Sequence, residues 1–258
     1  MRMQKTLLGA GGLALSLLAS GVMAQSLTQA QIDQLGTSLT PVGAEKAGNA
    51  AGTIPEWTGG LPTNAGKPLG DNFYENPLAG QQAEFVINAQ NYQQYKDNLT
   101  PGQVAMFERY PETFRMPVFK TERTVGYPQE VYDQVKQTAG QAKLVNGGDG
   151  ISNFSHGTFA FPIPQSGVEV IWNHNTRYRL NVQRLYMQAI PQTNGSYTLI
   201  KLEEEVGYPN RMSDVDASTM PNTLLFFKQR VNAPARLAGN VLLVHDTLDQ
   251  LKEPRMAW

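Results

Sequence analysis

Three histidines are the first residues to weigh for chemistry: His156, His174 and His245. They lie far apart, and none has the His-Glu-x-x-His spacing that sets two imidazoles on one helix face around zinc. No metal site is expected. Acyl transfer needs an activated nucleophile, yet the chain holds no Cys and no Gly-x-Ser-x-Gly elbow. Ser155 adjoins His156, but a triad is assembled by the fold rather than by adjacency in sequence. Glu203-Glu204-Glu205, Asp214 and Asp216 supply carboxylates. Paired carboxylates serve glycoside hydrolysis, whereas a run of like charge usually marks a solvated strand end or loop. Gly59-Gly60 and Gly147–Gly150 lack the strand–glycine–helix setting and the lysine of a nucleotide loop. The expectation is a non-enzyme with no catalytic residue and no cofactor, with a hydrolase kept as an alternative.

Two groups remain as binding candidates. The segment WNHNTRYR gathers His174, Arg177 and Arg179 beside Trp172 and Asn173. It reads either as a polar cluster at a cavity mouth or as a hydrogen-bonded knot holding the preceding FPIP segment. His245 joins this polar set, and strand alternation points it the same way as Val241 and Leu243. The apolar candidates are Phe159, Phe161, Trp172, Tyr186, Phe226, Val241 and Leu243. They are either plain core or the wall of a cavity that takes acyl chains by burial, at ~0.8 kcal/mol per methylene. Both readings give the same alternation.

The elements that must position these residues follow from the chain order. Arg2 and Lys5, the apolar run Leu7–Leu18 and Val22-Met23-Ala24 form the n-, h- and cleavage regions of a secretory signal peptide. Residues 1–24 are therefore expected to be removed on export to the periplasm. Loss of Arg2 and Lys5 leaves 19 basic against 22 acidic residues, a net charge of −3. No basic cluster exceeds a pair, which argues against nucleic acid as a partner. With no Cys, the exported chain must be stable through its core alone.

Leu27–Leu39 reads as a short helix capped by Ser26 or Thr28. Residues 40–80 are dense in Gly and Pro, either a flexible arm or a strap pinned by Ile54, Trp57, Leu61, Phe73 and Tyr74. Residues 25–80 thus form a helix-plus-strap segment ahead of a domain over 81–258. Within that domain Phe85–Ile87 reads as a strand, Asn91–Asn98 as a small helix, and Thr100-Pro101 starts a helix over Gly102–Arg109. Phe114–Thr121 reads as a strand, Pro128 begins another helix, and Asn146–Gly150 ends the helical half. Gly157–Pro164 is too proline-rich for a central strand and reads as a sheet edge or extended strap, with Phe159, Phe161 and Ile163 alternating. Ser166–Tyr178 reads as a short helix, with a strand as the alternative. Strands are expected over Leu180–Ile190, Tyr197–Leu202, Leu224–Val231 and Val241–Leu248, with Asn194-Gly195 as a hairpin turn. The last two are expected to be neighbours in a well-buried antiparallel sheet.

Four stretches, LTPVGAEKAGNAAGTIPEWTGG (39–60), RYPETFRMPVF (109–119), FPIPQSGVEVIWNHNTRYR (161–179) and APARLAGNVLLVHDTLDQLKEPRMAW (233–258), resemble an uncharacterised family of Gram-negative periplasmic proteins with a domain of unknown function. Its members are described as outer-membrane lipoprotein-sorting-like, with a fold similar to the carriers LolA and LolB. The resemblance implies an α+β fold: an incomplete antiparallel β-barrel curved around short helices, with the Gly/Pro-rich strap at its N-terminal side. Members of the family run on past the equivalent of Trp258, so the chain is expected to be an N-terminal portion whose sheet is unfinished. The implied function is a periplasmic carrier or chaperone holding a lipid, lipoprotein or other amphipathic molecule in an apolar cavity. The resemblance also suggests work beside an inner-membrane efflux-type transporter and an outer-membrane protein. The alternative is an envelope interaction protein that docks a partner by its sheet edge or strap.

Overall fold

Thr28 and Thr100 start two helices by the same device. In the computed structural model, which describes residues 27–62, 64–70 and 73–258, each threonine hydroxyl accepts from the backbone N–H three residues on. The Gln at that third position, Gln31 or Gln103, reaches back to the threonine N–H. This capping box satisfies two orphan donors at once. The signal peptide expected over residues 1–24 lies outside the described residues.

After Thr28 the helix α1 covers only Gln29–Ile32, shorter than the expected Leu27–Leu39. Gly36 is the reason: its φ of 86° leaves the helical region, and its N–H turns to the carbonyl of Leu39. The Gly/Pro-rich segment that follows contains a small hairpin, β1 (Pro68–Gly70) with β2 (Phe73–Tyr74). Its earlier part is pinned. Trp57 donates its indole N–H to the Val125 carbonyl at 2.8 Å and meets Tyr132 edge-on. Arg123 donates to the carbonyls of Glu45 at 2.7 Å and Lys46 at 3.0 Å. Phe73 and Tyr74, expected as pins, are exposed.

Strand β3 (Ala83–Ile87) pairs antiparallel with β4 (Met116–Phe119). Between them lie a 3-10 turn over Tyr92–Asn98 and α2 (Pro101–Arg109), whose Phe107 is fully buried between Tyr92 and Phe114. Helix α3 (Gln129–Thr138) places Val131 and Val135 one turn apart, and both bury completely with Leu35. Asn146–Gly150 was expected to end a helical half. It instead turns the hairpin between β5 (Lys143–Val145) and β6 (Gly150–Ser152). Gly147 takes the positive φ of 69° that this tight turn needs.

Gly157–Pro164 forms no strand. Its backbone is held by one side chain of α4 (Gly167–Thr176): Asn173 accepts from the Phe161 N–H at 2.8 Å and donates to the Phe161 carbonyl. The amide thus imitates a neighbouring strand for one residue pair where the prolines forbid a real one. The alternation of Phe159, Phe161 and Ile163 is split between two cores. Phe159 and Ile163 pack on the Leu35–Val131–Val135 cluster, while Phe161 joins Ile151, Ala160, Leu224 and Leu248.

The second half is one antiparallel sheet in the order β11-β10-β9-β8-β7. Its strands are β7 (Val182–Pro191), β8 (Tyr197–Gly207), β9 (Thr223–Ala233), β10 (Val241–Thr247) and β11 (Met256–Ala257). Strand β8 runs well beyond Leu202 and takes in the triple-glutamate run, contrary to the expected strand end. The molecule is a mixed α/β protein with mostly antiparallel pairing, and among the described residues no barrel closes. The sheet is also not well buried. The helical half grips it through Leu224, Leu225 and Leu248, while Leu185 and Met187 farther out are 67% and 62% exposed.

Candidate functional site

The register of the sheet puts two cross-strand rows of side chains on one face. One row is Gly207, Phe226, His245 and Met256; the next is Gln183, Glu205, Lys228 and Leu243. Together with Met212, which follows the 3-10 turn Pro209–Arg211, these rows, Met256 excepted, line an open groove of about 620 Å³. Ligand sites commonly fall between ~300 and 1,000 Å³. Gly207 makes room for its end: a Cβ there would stand 2.9 Å from the Met212 sulfur. The floor carries an aromatic ladder. Phe226 and His245 meet edge-on with centroids 4.7 Å apart, and His245 meets Trp258 at 5.0 Å. Glu205 and Lys228 pair at 3.3 Å along the groove. Both are solvated, so the pair adds ~0–1 kcal/mol to stability and chiefly gives the groove a polar lip.

The opposite face carries Arg184, Tyr186, Glu204 and Gln229. Glu204 is only 4% exposed, because the side chains of β7 and β9 close over it. Arg184 contacts one carboxylate oxygen through two nitrogens at 2.7 Å, while Tyr186 at 2.6 Å and Gln229 at 2.7 Å donate to the other. Burial alone would raise the Glu204 pKa, but the bonds from Tyr186 and Gln229 and the Arg184 charge hold it below the ordinary glutamate value. The Tyr186 hydroxyl is pushed up, first by its bond to that carboxylate and then by burial.

The apolar candidates fall into five places. Phe226 and Leu243 line the groove. Val241 shares their face one pair farther along and lies outside the lining. Phe161 and Trp172 belong to the core, Trp172 donating its indole N–H to the Gly148 carbonyl at 2.9 Å. Phe159 packs edge-on to Tyr127 at 5.4 Å in the other core, and Tyr186 serves Glu204. Of the polar set, His245 is in the groove floor. His174 offers its backbone carbonyl to Arg177 and Arg179, not its ring. His156 donates to the Thr223 carbonyl at 2.6 Å.

Sequence reasoning missed Met212, the Glu205–Lys228 lip and the Glu204 network. Carrying strand alternation through Glu203–Glu205 would have set Glu204 apart from its two neighbours. A second pocket of about 330 Å³, walled by Trp57, Tyr127 and Tyr132, lies under the strap. It is smaller and stands away from the exposed apolar rows of the sheet. Among the described residues, no group of three or more His, Asp or Glu side chains could hold a metal ion. No described helix is long and apolar enough to cross a membrane.

The chain is 54% identical over 259 residues to "Uncharacterized protein PA3922" of Pseudomonas aeruginosa, covering 100% of this chain and 56% of that relative. It therefore spans about half the length of the curated relative it matches. No solved structure matches it. Residues 86–258 match the family described as "Protein of unknown function (DUF1329)", and the chain belongs to that family.

Proposed function

We propose that the protein is a periplasmic, non-enzymatic carrier or chaperone for an amphipathic molecule, a lipid or the acylated part of a lipoprotein. The observation that carries this reading is the open groove with the apolar floor Phe226, Leu243 and Met212. It continues into Leu185, Met187 and Leu199 on the same sheet face, all exposed. These exposed apolar side chains, gathered on one face beside the polar Lys201 and Glu203, mark an interaction site rather than ordinary surface. The acyl part would lie along the Phe226–Leu243 floor, with the Glu205–Lys228 lip near its polar end. An open antiparallel sheet beside short helices suits the lipoprotein-carrier-like fold that the sequence resembles. Export by the residue 1–24 leader would bring it to work between an inner-membrane transporter and an outer-membrane protein.

Titration of the purified chain with a fluorescent fatty acid tests this reading. Saturable binding is expected, with Leu243→Glu weakening it about tenfold or more, since a buried charge replaces apolar contact. No saturable binding, or equal binding by the variant, would remove the groove as the site.

A second reading has its own support. Among the described residues, strand β7 pairs with β8 on one side only, so its ten-residue outer edge offers backbone donors and acceptors to a partner strand. A photo-crosslinking residue in place of Met187, on the edge strand and on the groove's face, would give specific protein adducts in cells under this reading, and lipid adducts under the first.

A further inference from the structure

Three arginines converge where α4 ends and the 3-10 turn Pro209–Arg211 begins. Arg179 donates to the Tyr208 hydroxyl at 3.2 Å and to the His174 carbonyl at 3.0 Å. Arg177 donates to the same carbonyl. Arg211 follows Tyr208 around the turn, bonding back to its carbonyl at 2.8 Å, and lays its guanidinium over the Tyr178 ring at 4.7 Å. Tyr178 thus stands between Arg177 and Arg179 in sequence and under Arg211 in space. Asn181 fixes the two segments together, accepting from the Tyr208 N–H and donating to the Arg211 carbonyl.

Among the described residues, the hydrogen-bond and ring partners of these arginines are neutral. Among the described residues, ion pairs engage Lys46, Arg184, Lys228 and Arg255, and none of the three. The Nε groups of both Arg179 and Arg211 are buried without a partner. A buried donor left unmade costs stability, and more so on a charged group. Burial, and then the neighbouring Arg179 charge, lower the pKa of Arg177, against smaller opposing effects of Tyr127 and Tyr208. Arg179, alone of the three, also lines a cleft of about 250 Å³ with Trp172, His174, Asn175 and Gln250, which opens one side of the cluster to a ligand. Asp246 lines that cleft as well, and it faces Arg255 at 3.8 Å.

We propose that Arg177, Arg179 and Arg211 form an oxyanion site that takes a phosphate group. Guanidinium forks match phosphate oxygens in pairs, and three uncompensated positive charges suit a phosphate dianion better than a single carboxylate. The phosphate belongs either to a lipid headgroup or to a soluble phosphate. The site stands whether or not the groove carries an acyl chain, because none of its arginines lines the groove.

Calorimetric titration of the full chain with inorganic phosphate, at ionic strength held constant with chloride, tests the site. Alongside it, flotation with phosphatidic acid vesicles is compared with flotation on phosphatidylcholine vesicles. Saturable phosphate binding, with a raised melting temperature of the wild type, is expected. Arg179→Gln and Arg211→Gln should each weaken it about tenfold, and Arg236→Gln, on an exposed loop, should leave it unchanged. Arg179→Lys and Arg211→Lys keep the charge and guard against a folding defect in the glutamine variants; their binding should fall between. Flotation on phosphatidic acid alone, lost in the same variants, assigns the phosphate to a lipid; phosphate binding without flotation assigns it to a soluble ligand. Absence of both in the wild type, or equal loss in Arg236→Gln, would overturn the proposal.

Discussion

Glu204 shows how a single side chain can be misread in sequence and decisive in structure. It sits in the middle of three consecutive glutamates, yet strand alternation sends it to the face opposite Glu203 and Glu205. There it meets Arg184, Tyr186 and Gln229. Replacing it by Gln removes the charge that three donors are arranged around, and urea unfolding at neutral pH should show a loss of about 1–3 kcal/mol. The folded state binds this proton more weakly than the unfolded chain. The contribution is therefore complete above the ordinary glutamate value of 4.5 and is lost as pH falls through the lower folded value. Melting curves of wild type and Glu204→Gln should accordingly converge on acidification. Gly43 is decisive for a different reason. Its φ is 91°, and a Cβ would lie 1.5 Å from the Pro162 carbonyl oxygen. That distance forces backbone movement, so Gly43→Ala should lose about 3 kcal/mol or more in the same measurement.

Among the elements, those whose signals are local were legible. Thr100-Pro101 set the start of α2, and Asn194-Gly195 set the turn from β7 to β8, because caps and tight turns are decided within four residues. The segment Gly157–Pro164 was not legible, since its conformation depends on Asn173, twelve residues away. The strap was half legible. Trp57 was expected to pin it and does, but Arg123 was invisible, because its guanidinium collects carbonyls some 70 residues earlier in the chain. Arg123→Ala should leave α2 and the sheet intact while amide exchange over residues 45–57 speeds up by about tenfold or more. Uniform exchange in the two proteins would mean that the strap is held by Trp57 and its neighbours alone.

At the scale of the molecule, the helical half anchors the base of a sheet whose outer part stays open. The alternation of β7 to β10 was readable from period two, but which face was covered was not, because alternation is the same for a core wall and for an open groove. Phe161 and Trp172 went to the core and Phe226 and Leu243 to the groove on tertiary grounds alone. The central claim is that the groove on this face holds the apolar part of an amphipathic molecule. The measurement that meets it most directly is photolabelling of the purified chain with a diazirine-bearing fatty acid, followed by mapping of the adducts. The account predicts adducts concentrated on Met212, Phe226, Leu243 and His245 and suppressed by excess unlabelled fatty acid. Adducts scattered over Phe73, Leu251 and other exposed apolar residues, or unaffected by the competitor, would contradict it.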